Sequence, residues 1–263
     1  MKPVTKFHYL LLFLVGLLTF SQGETLKETV KKEIAFSPGG MLSLENTNGS
    51  IVIEGWDEAR CSLIAEKKVK ANNERDARKA MERLKVNIDE SENEIRVKTR
   101  LPGNGNGILG WIFGDHVSST VDYTVYVPRQ TSLKINSTNG EINVSAVEGN
   151  IRLETTNGEI NAKDIGGEVR AHTTNGDIEI EIVSIAPSED VEIGTTNGSI
   201  KVYLPEDVGA HIRAKTTNGS IKSDFHIPVK GKYNSKKAEG DLNGGGAEII
   251  LRTVNGSIKI RKL

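Results

Sequence analysis

The side chains that most often carry catalysis are dispersed in this sequence. The histidines beyond the N-terminal segment are His116, His172, His211 and His226, and none stands in a His-x-His or His-x-x-x-His spacing suited to a metal. No serine lies in a Gly-x-Ser-x-Gly motif. The single cysteine, Cys61, excludes an intrachain disulfide and a cysteine-based zinc site. We therefore expect a protein that is not an enzyme and carries no cofactor.

Three carboxylates, Glu141, Glu159 and Asp177, each follow the glycine of a recurring Thr-Asn-Gly triplet. If the triplets stack as neighbouring strands do, these carboxylates lie about 4.8 Å apart. Like charges at that distance need solvent or a bridging cation. The Gly-Gly-x-Gly-x-Asp repeat of calcium-binding coils is absent. A calcium site at these residues is thus a minor alternative, and we expect no metal site.

Three lysines, Lys201, Lys222 and Lys259, occupy the third position after the glycine of their triplets. In a stack of chain segments they would form one basic stripe. We predict that this stripe contacts an anionic envelope polymer or an acidic surface of a partner. The favoured alternative is a solvated face that keeps the sheet soluble and blunts its edges.

The triplet itself is the strongest feature of the sequence. From 138–140 onward, successive triplet glycines are 18, 18, 22, 21 and 37 residues apart. Self-similarity at a nearly fixed period is the signature of a solenoid or an array. The residues that we interpret as structural turns are Asn48, Gly49, Asn139, Gly140, Asn157, Gly158, Asn175, Gly176, Asn197, Gly198, Asn218, Gly219, Asn255 and Gly256.

Short runs between the triplets alternate apolar and polar residues. Apolar side chains stand at Ile142, Val144, Ile151 and Leu153, with polar residues between them. This period of two is typical of half-buried strands. It favours an all-β fold, mainly a β-solenoid-like or β-helix-like stack in which neighbouring turns supply the core. A β-sandwich of hairpins is the alternative, because Asn-Gly also accepts the positive φ of a hairpin turn.

Stacking would give the asparagines a structural role. In a coil, Asn139, Asn157, Asn175, Asn197 and Asn218 would form a ladder of amide hydrogen bonds, as in cross-β stacks. We expect this role rather than ligand binding.

The first half has the same strand pattern around its own triplet, plus one helix. Asn73 can cap a helix, and apolar residues at helical spacing follow it, so we predict a helix at 73–84. We divide the chain into a signal peptide at 1–23, an N-terminal β-rich part at 24–128 and a Thr-Asn-Gly repeat β-solenoid at 129–263. The last two parts are expected to be continuous.

A Gly-rich loop at 101–119 contains a cluster of large apolar residues, namely Ile108, Leu109, Trp111, Ile112 and Phe113. Exposed together, they would form an apolar contact for a partner or a lipid surface. The favoured interpretation is that they fold over an open end of the core. The Gly-x-Gly-x-x-Gly match inside the loop is formal only, because no strand–helix unit surrounds it.

The N-terminal 23 residues have the form of an export signal. Lys2 and Lys6 precede a twelve-residue apolar run at 9–20, and small residues follow. The run is shorter than the roughly 20 residues of a membrane span, so an uncleaved anchor is the less favoured alternative. We expect a periplasmic, cell-surface or secreted protein.

The balance of charges restricts the partners. With 34 Lys and Arg against 35 Asp and Glu, the chain lacks the basic excess of a nucleic-acid binder. Membrane contact is expected only through the signal or the loop at 108–113.

Several motifs together resemble one bacterial family. They are Ile53-Glu54-Gly55-Trp56-Asp57, the pair Leu204-Pro205, the run Thr217-Asn218-Gly219-Ser220-Ile221-Lys222, and the block from Gly244-Gly245-Gly246 to Ile260. Over 37–263 the sequence is similar to the "putative adhesin" family of exported β-rich proteins of unknown function. The resemblance implies an extracytoplasmic, β-solenoid-like protein with no established catalytic residue.

These observations predict a non-catalytic, adhesin-like structural or interaction protein. Its repetitive β surface would face an envelope protein or glycan of unknown identity. One alternative is a polysaccharide-acting enzyme, since β-solenoids also support lyases and hydrolases. Another is a periplasmic accessory or sensory protein.

Overall fold

The computed structural model describes residues 25–91, 93–102, 117–231 and 236–263. Over these ranges the chain forms many short strands and a single helix, α1 (Glu74–Arg83). The strands are β1 (Thr25–Ala35), β2 (Met41–Glu45), β3 (Ile51–Trp56), β4 (Arg60–Lys70), β5 (Lys85–Glu90), β6 (Glu94–Arg100), β7 (Ser118–Pro128), β8 (Ser132–Asn136), β9 (Ile142–Ser145), β10 (Ile151–Asn157), β11 (Ile160–Gly166), β12 (Val169–Asn175), β13 (Ile178–Ser184), β14 (Val191–Asn197), β15 (Ile200–Leu204), β16 (Ala210–Asn218), β17 (Ile221–Ser223), β18 (Val229–Lys230), β19 (Lys236–Leu242), β20 (Ala247–Asn255) and β21 (Ile258–Lys262).

The strands build two sheets. Sheet A has ten strands in the order β1-β4-β7-β3-β9-β11-β13-β15-β21-β17. Sheet B has eleven in the order β18-β19-β16-β20-β14-β12-β10-β8-β2-β6-β5. Strands from the first half, such as β2 and β3, pair directly with β8 and β9 of the repeat. Both sheets therefore contain strands from before and after residue 128, and these strands are hydrogen-bonded to one another.

Each Thr-Asn-Gly triplet joins a strand of sheet B to a strand of sheet A. Thus β10 leads into β11, and β12 leads into β13, while β10 pairs in parallel with β12. The register places equivalent residues side by side, for example Ile151, Val169 and Val191. From β7 to β17, strands that follow one another in the chain lie in different sheets, which excludes a sandwich of hairpins for this part of the chain. The predicted all-β, solenoid-like fold is confirmed.

The core lies between the two sheets and consists of columns of aliphatic side chains. Ile142, Ile160, Ile178, Ile200 and Ile258 follow one another across sheet A and are buried. A buried isoleucine stabilises the folded state by about 1.5–3 kcal/mol. A single turn would leave the edges of its isoleucines exposed to solvent. This burial energy is therefore gained only when turns stack on one another.

The helix covers part of this core at the first edge of sheet A, where it packs against β1 and β4. The Asn73 side chain accepts a hydrogen bond from the Asp76 amide, so it is the N-cap. Ala77, Ala80 and Met81 are buried, and the helix ends before Leu84. The predicted helix at 73–84 thus includes one capping residue at each end.

The strands on either side of the Gly-rich segment form one more turn of the coil. Strand β6 lies next to β2 in sheet B, and β7 lies next to β3 in sheet A. The chain thus passes from β6 in sheet B to β7 in sheet A, as it does across each Thr-Asn-Gly triplet in the other turns. The predicted apolar contact residues Ile108, Leu109, Trp111, Ile112 and Phe113, like the signal at 1–23, lie outside the described residues.

The last turn of the coil departs from chain order. Strands β20 and β21 lie between the turn β14–β15 and the turn β16–β17. The expectation that triplets stack in sequence order is therefore wrong at this end. The hairpin of β18 and β19 pairs with β16 at the far edge of sheet B. The chain then returns as β20, which lies between β14 and β16. This return accounts for the 37-residue spacing before Gly256.

No helix within the described ranges is long and apolar enough to cross a membrane.

Candidate functional site

The asparagines of the triplets form one continuous ladder along an edge of the coil. Except in Asn48, where the ladder begins, each Nδ2 donates to the Oδ1 of the asparagine in the neighbouring turn over 2.8 Å. The order in space is Asn48, Asn139, Asn157, Asn175, Asn197, Asn255 and Asn218. The predicted ladder is present, extended by Asn48 and with Asn255 inserted before Asn218.

A second column of hydrogen bonds runs just inside the ladder. The buried first threonine of each Thr-Thr pair donates its hydroxyl to the glycine carbonyl of the adjacent turn, as Thr173 does to Gly158 over 3.0 Å. Thr155, Thr195, Thr253 and Thr216 make the equivalent bond. A buried hydroxyl needs such a partner, which explains why a threonine precedes the triplet.

The triplet glycines are required by close backbone contact. A Cβ atom built on Gly158 would lie 2.0 Å from the Gly140 carbonyl oxygen, and one on Gly198 would lie 1.9 Å from that of Gly176. No triplet asparagine has a positive φ. The Asn-Gly pair is therefore not the turn of a hairpin, as the sandwich alternative required, and instead makes a corner between two sheets.

The column changes at the first turns. Asn46 replaces threonine there, and its Nδ2 donates to the Val121 carbonyl over 2.8 Å while its Oδ1 accepts from the Thr99 hydroxyl. The Thr99 and Tyr123 hydroxyls are 2.7 Å apart, and burial raises the pKa of Tyr123 to about 12. In the next turn the Ser137 hydroxyl is buried without a partner. This end of the coil thus contains a local polar network in place of the repeated bond.

The predicted lysine stripe lies on the outer face of sheet A in the order Lys201, Lys259, Lys222. The Lys201 ammonium group lies 4.8 Å from the ring centroid of Tyr203 and 3.2 Å from Glu179 Oε1. These two side chains, Tyr203 first, raise the pKa of Lys201 above its usual value. Within the described residues, Lys222 and Lys259 form no ion pair.

The column proposed for calcium is engaged in hydrogen bonds. Glu141 accepts from the Asn161 amide, and Asp177 accepts from the backbone N–H of Ser199 over 2.7 Å. Glu159 lies between them in the same column. Over the parts of the chain that the structure describes, no group of three metal-ligating side chains is found.

The candidate catalytic residues remain apart from one another. His172 is exposed on sheet B, His211 bonds Asp241 over 2.5 Å, and His226 is exposed near β18. His116 lies outside the described residues. Cys61 is buried, and desolvation, followed by the charge of Glu33, raises its thiol pKa to about 12. A thiol with that pKa is unreactive at neutral pH.

The outer face of sheet B has a cavity that was not predicted from the sequence. A shallow cavity of about 590 Å³ lies on sheet B around Gly194, with Arg152, Arg170 and Arg252 among its lining residues. The signal in the sequence is a glycine before Thr195-Thr196, where the other turns have Glu154, His172 or Lys215.

The stacked corners and two mostly parallel sheets define a two-sheet β-solenoid. Two overlapping matches to one family, over 40–186 and 129–261, cover most of the chain. The protein belongs to the Toastrack DUF4097 family.

Solved structures with weak similarity include two proteins named for adhesion. A "putative cell adhesion protein" from Clostridium sporogenes is 18% identical, with 89% of this chain and 99% of that chain covered and a TM-score of 0.47. A "putative adhesin" from Bacteroides fragilis is 10% identical, with 89% and 97% covered and a TM-score of 0.41. A "putative lipid binding protein" from Parabacteroides distasonis is 12% identical, with 89% and 96% covered and a TM-score of 0.27. No functionally curated protein matches the chain. At these TM-scores the likeness supports no functional argument.

Proposed function

We propose that this protein is an exported, non-catalytic, adhesin-like molecule that presents its repetitive β surface to ligands or partners of the cell envelope. The contact surface on sheet A is the lysine stripe of Lys201, Lys259 and Lys222. It binds an anionic envelope polymer through its positive charges. The location is the periplasm, the cell surface or the medium.

The observation that carries the proposal is the state of Lys222 and Lys259. They stand in register on the paired strands β17 and β21, whose backbones are about 4.8 Å apart, and both side chains are exposed. Like charges at this spacing repel one another, and neither is neutralised by a carboxylate in the described part of the chain. An external anion would relieve that repulsion. By contrast, Arg261 and Lys262 in the same strand bond Asp224 and Glu206.

The shape of the coil supports binding over catalysis. Acid–base and nucleophilic catalysis need several groups within about 3 Å of one reacting centre. In the ranges that the structure describes, the histidines and the cysteine are distant from one another or buried. A column that places one lysine on each of three neighbouring strands suits a repetitive polymer.

The test is charge reversal with a matched control. Lys222→Glu with Lys259→Glu is compared with Lys68→Glu with Lys70→Glu, two exposed lysines of β4 near the other end of sheet A. We expect the first pair to weaken binding to immobilised dextran sulfate and to envelope fragments by about tenfold or more. The control pair should retain binding. High salt should weaken the wild-type interaction, since exposed charges are screened.

Two results would contradict the proposal. Equal binding by both double variants would remove the stripe as the contact surface. Release of reducing ends from envelope polysaccharide by the purified protein would favour the enzyme alternative. Fractionation of cells that express the tagged full chain tests export independently, with a cytoplasmic enzyme as the marker for leakage.

A further inference from the structure

The cavity around Gly194 interrupts a regular column of side chains on the outer face of sheet B. The residues in register across the sheet are Glu154, His172, Gly194, Arg252 and Lys215. Gly194 is the member of this column that has no side chain. The missing side chain leaves a gap between the side chains of β12 and β20. These two strands are two strand spacings apart, or about 9.6 Å.

The backbone does not require a glycine at this position. Gly194 has no positive φ. A Cβ atom there would lie 3.0 Å from Nδ1 of the movable His172 imidazole and at an ordinary van der Waals distance, 3.8 Å, from the Arg252 carbonyl oxygen. The triplet glycines differ, because their Cβ atoms would meet backbone carbonyl oxygens at about 2 Å. A glycine inside a strand weakens the sheet, and it often marks a place where a ligand approaches closely.

Arginine side chains surround the gap. Arg152, Arg170 and Arg252 pair with Glu154, Glu168 and Glu192 at 2.6, 2.8 and 3.2 Å. Their side chains are 49%, 51% and 60% exposed. These ion pairs orient the guanidinium groups. Because pairs this exposed are weak, an incoming anion can compete with the glutamates for the arginines. Guanidinium groups bind carboxylates through two parallel hydrogen bonds.

The same walls offer partners for hydroxyl groups. The Glu192 carboxylate can accept hydrogen bonds, and Thr196 and His172 also line the cavity. The exposed Val254 side chain adds apolar surface. The volume of about 590 Å³ lies within the roughly 300–1,000 Å³ of small-molecule sites.

We propose that the cavity around Gly194 binds a uronic acid unit of a saccharide. Its carboxylate pairs with Arg252 and Arg170, and its ring hydroxyls bond Glu192 and Thr196 above the Gly194 backbone. The site lies in the middle of a sheet, where the N–H and C=O groups of β14 pair with β12 and β20. A peptide therefore cannot add here as an extra strand, and recognition depends on side chains. The site is separate from the lysine stripe, which lies on the other sheet.

The experiment measures calorimetric binding of trigalacturonate, with neutral galactotriose as the comparison ligand. Gly194→Thr fills the gap, and Asn136→Thr places the same side chain in the same column three strands away. Arg252→Gln removes a guanidinium from the site, and Arg96→Gln removes one from the far end of the same face.

We expect wild-type protein to bind the acidic trisaccharide at least about tenfold more tightly than the neutral one. Gly194→Thr and Arg252→Gln should each weaken that binding about tenfold or more, whereas Asn136→Thr and Arg96→Gln should retain it. Gly194→Thr should unfold at the same or a higher urea concentration than wild type, because threonine is favoured in strands. Loss of binding then cannot be attributed to loss of folding.

Four results would overturn the proposal. They are no binding of trigalacturonate, equal affinity for the neutral sugar, unchanged binding by Gly194→Thr, and loss of binding in Lys222→Glu with Lys259→Glu. The last result would assign the interaction to the lysine stripe, so the two proposals can fail separately.

Discussion

The corner of the coil and its outer faces differ in how strictly each turn repeats the last. Along the corner, from β10 onward, asparagine, threonine and glycine make the same three contacts from turn to turn. Across the faces, the equivalent positions change from Asn161 through Glu179 to Lys201 on sheet A. The corner sets the stacking, which leaves the faces free to vary in charge and shape. Binding is therefore expected on the faces.

The largest effect should come from the triplet glycines. Gly158→Ala places a Cβ atom 2.0 Å from the Gly140 carbonyl oxygen, so the two turns must separate. We expect a loss of about 3 kcal/mol in the free energy of unfolding, measured by urea denaturation. Gly240→Ala is the control, since its Cβ would meet side-chain carbons at 3.5 Å. Equal stability of the two variants would contradict the close stacking of corners.

The next effect concerns the buried hydroxyl column. Thr173→Val removes the hydrogen bond to the Gly158 carbonyl and should cost about 1–2 kcal/mol in the same assay. Ser137→Ala, in the same column, should stay within about 0.5 kcal/mol of wild type because its hydroxyl has no partner. If both substitutions cost the same, the hydroxyl bonds are not what stabilises the corner.

A smaller effect is expected at the exposed ladder. Asn175→Ala breaks the bonds to Asn157 and Asn197 and should lower the free energy of unfolding by about 0.5 kcal/mol, since solvent replaces them in part. Thr174→Ala, the preceding residue, provides the control. A loss no larger than that of the control would show that the amide ladder does not stabilise the stack.

The smallest effect should come from an exposed ion pair between Lys262 of β21 and Glu206 in the turn that follows β15. The hydrogen bond from Lys262 lowers the pKa of Glu206 below its usual value of 4.5. A carboxyl group whose pKa is lowered by folding stabilises the protein above about pH 4.5. This stabilisation is lost as the pH falls through the pKa of the folded state. Glu206→Gln should therefore lower the melting temperature slightly at pH 7 and leave it unchanged in acid. A larger deficit in acid would contradict this assignment.

The corner could be predicted from the sequence because the same residues recur at the same offsets. The spatial order of the last turns could not be predicted. A sequence repeat shows that turns are equivalent, but it does not show which turn lies beside which. Only the long interval before Gly256 indicated the returning chain. Gly194 was missed for a similar reason. A glycine in a sequence does not reveal whether its neighbour is a backbone carbonyl oxygen, as at Gly158, or a movable side chain, as at Gly194.

The stacking order provides the most direct test of this account. Neighbouring parallel strands are about 4.8 Å apart, which suits the Cα separation of a disulfide, whereas two spacings do not. Cys61 is buried with a raised thiol pKa and does not compete. Under mild oxidation, Asn197→Cys with Asn255→Cys should crosslink readily, and Asn197→Cys with Asn218→Cys should not. Efficient crosslinking of the second pair and none of the first would contradict the coil described here.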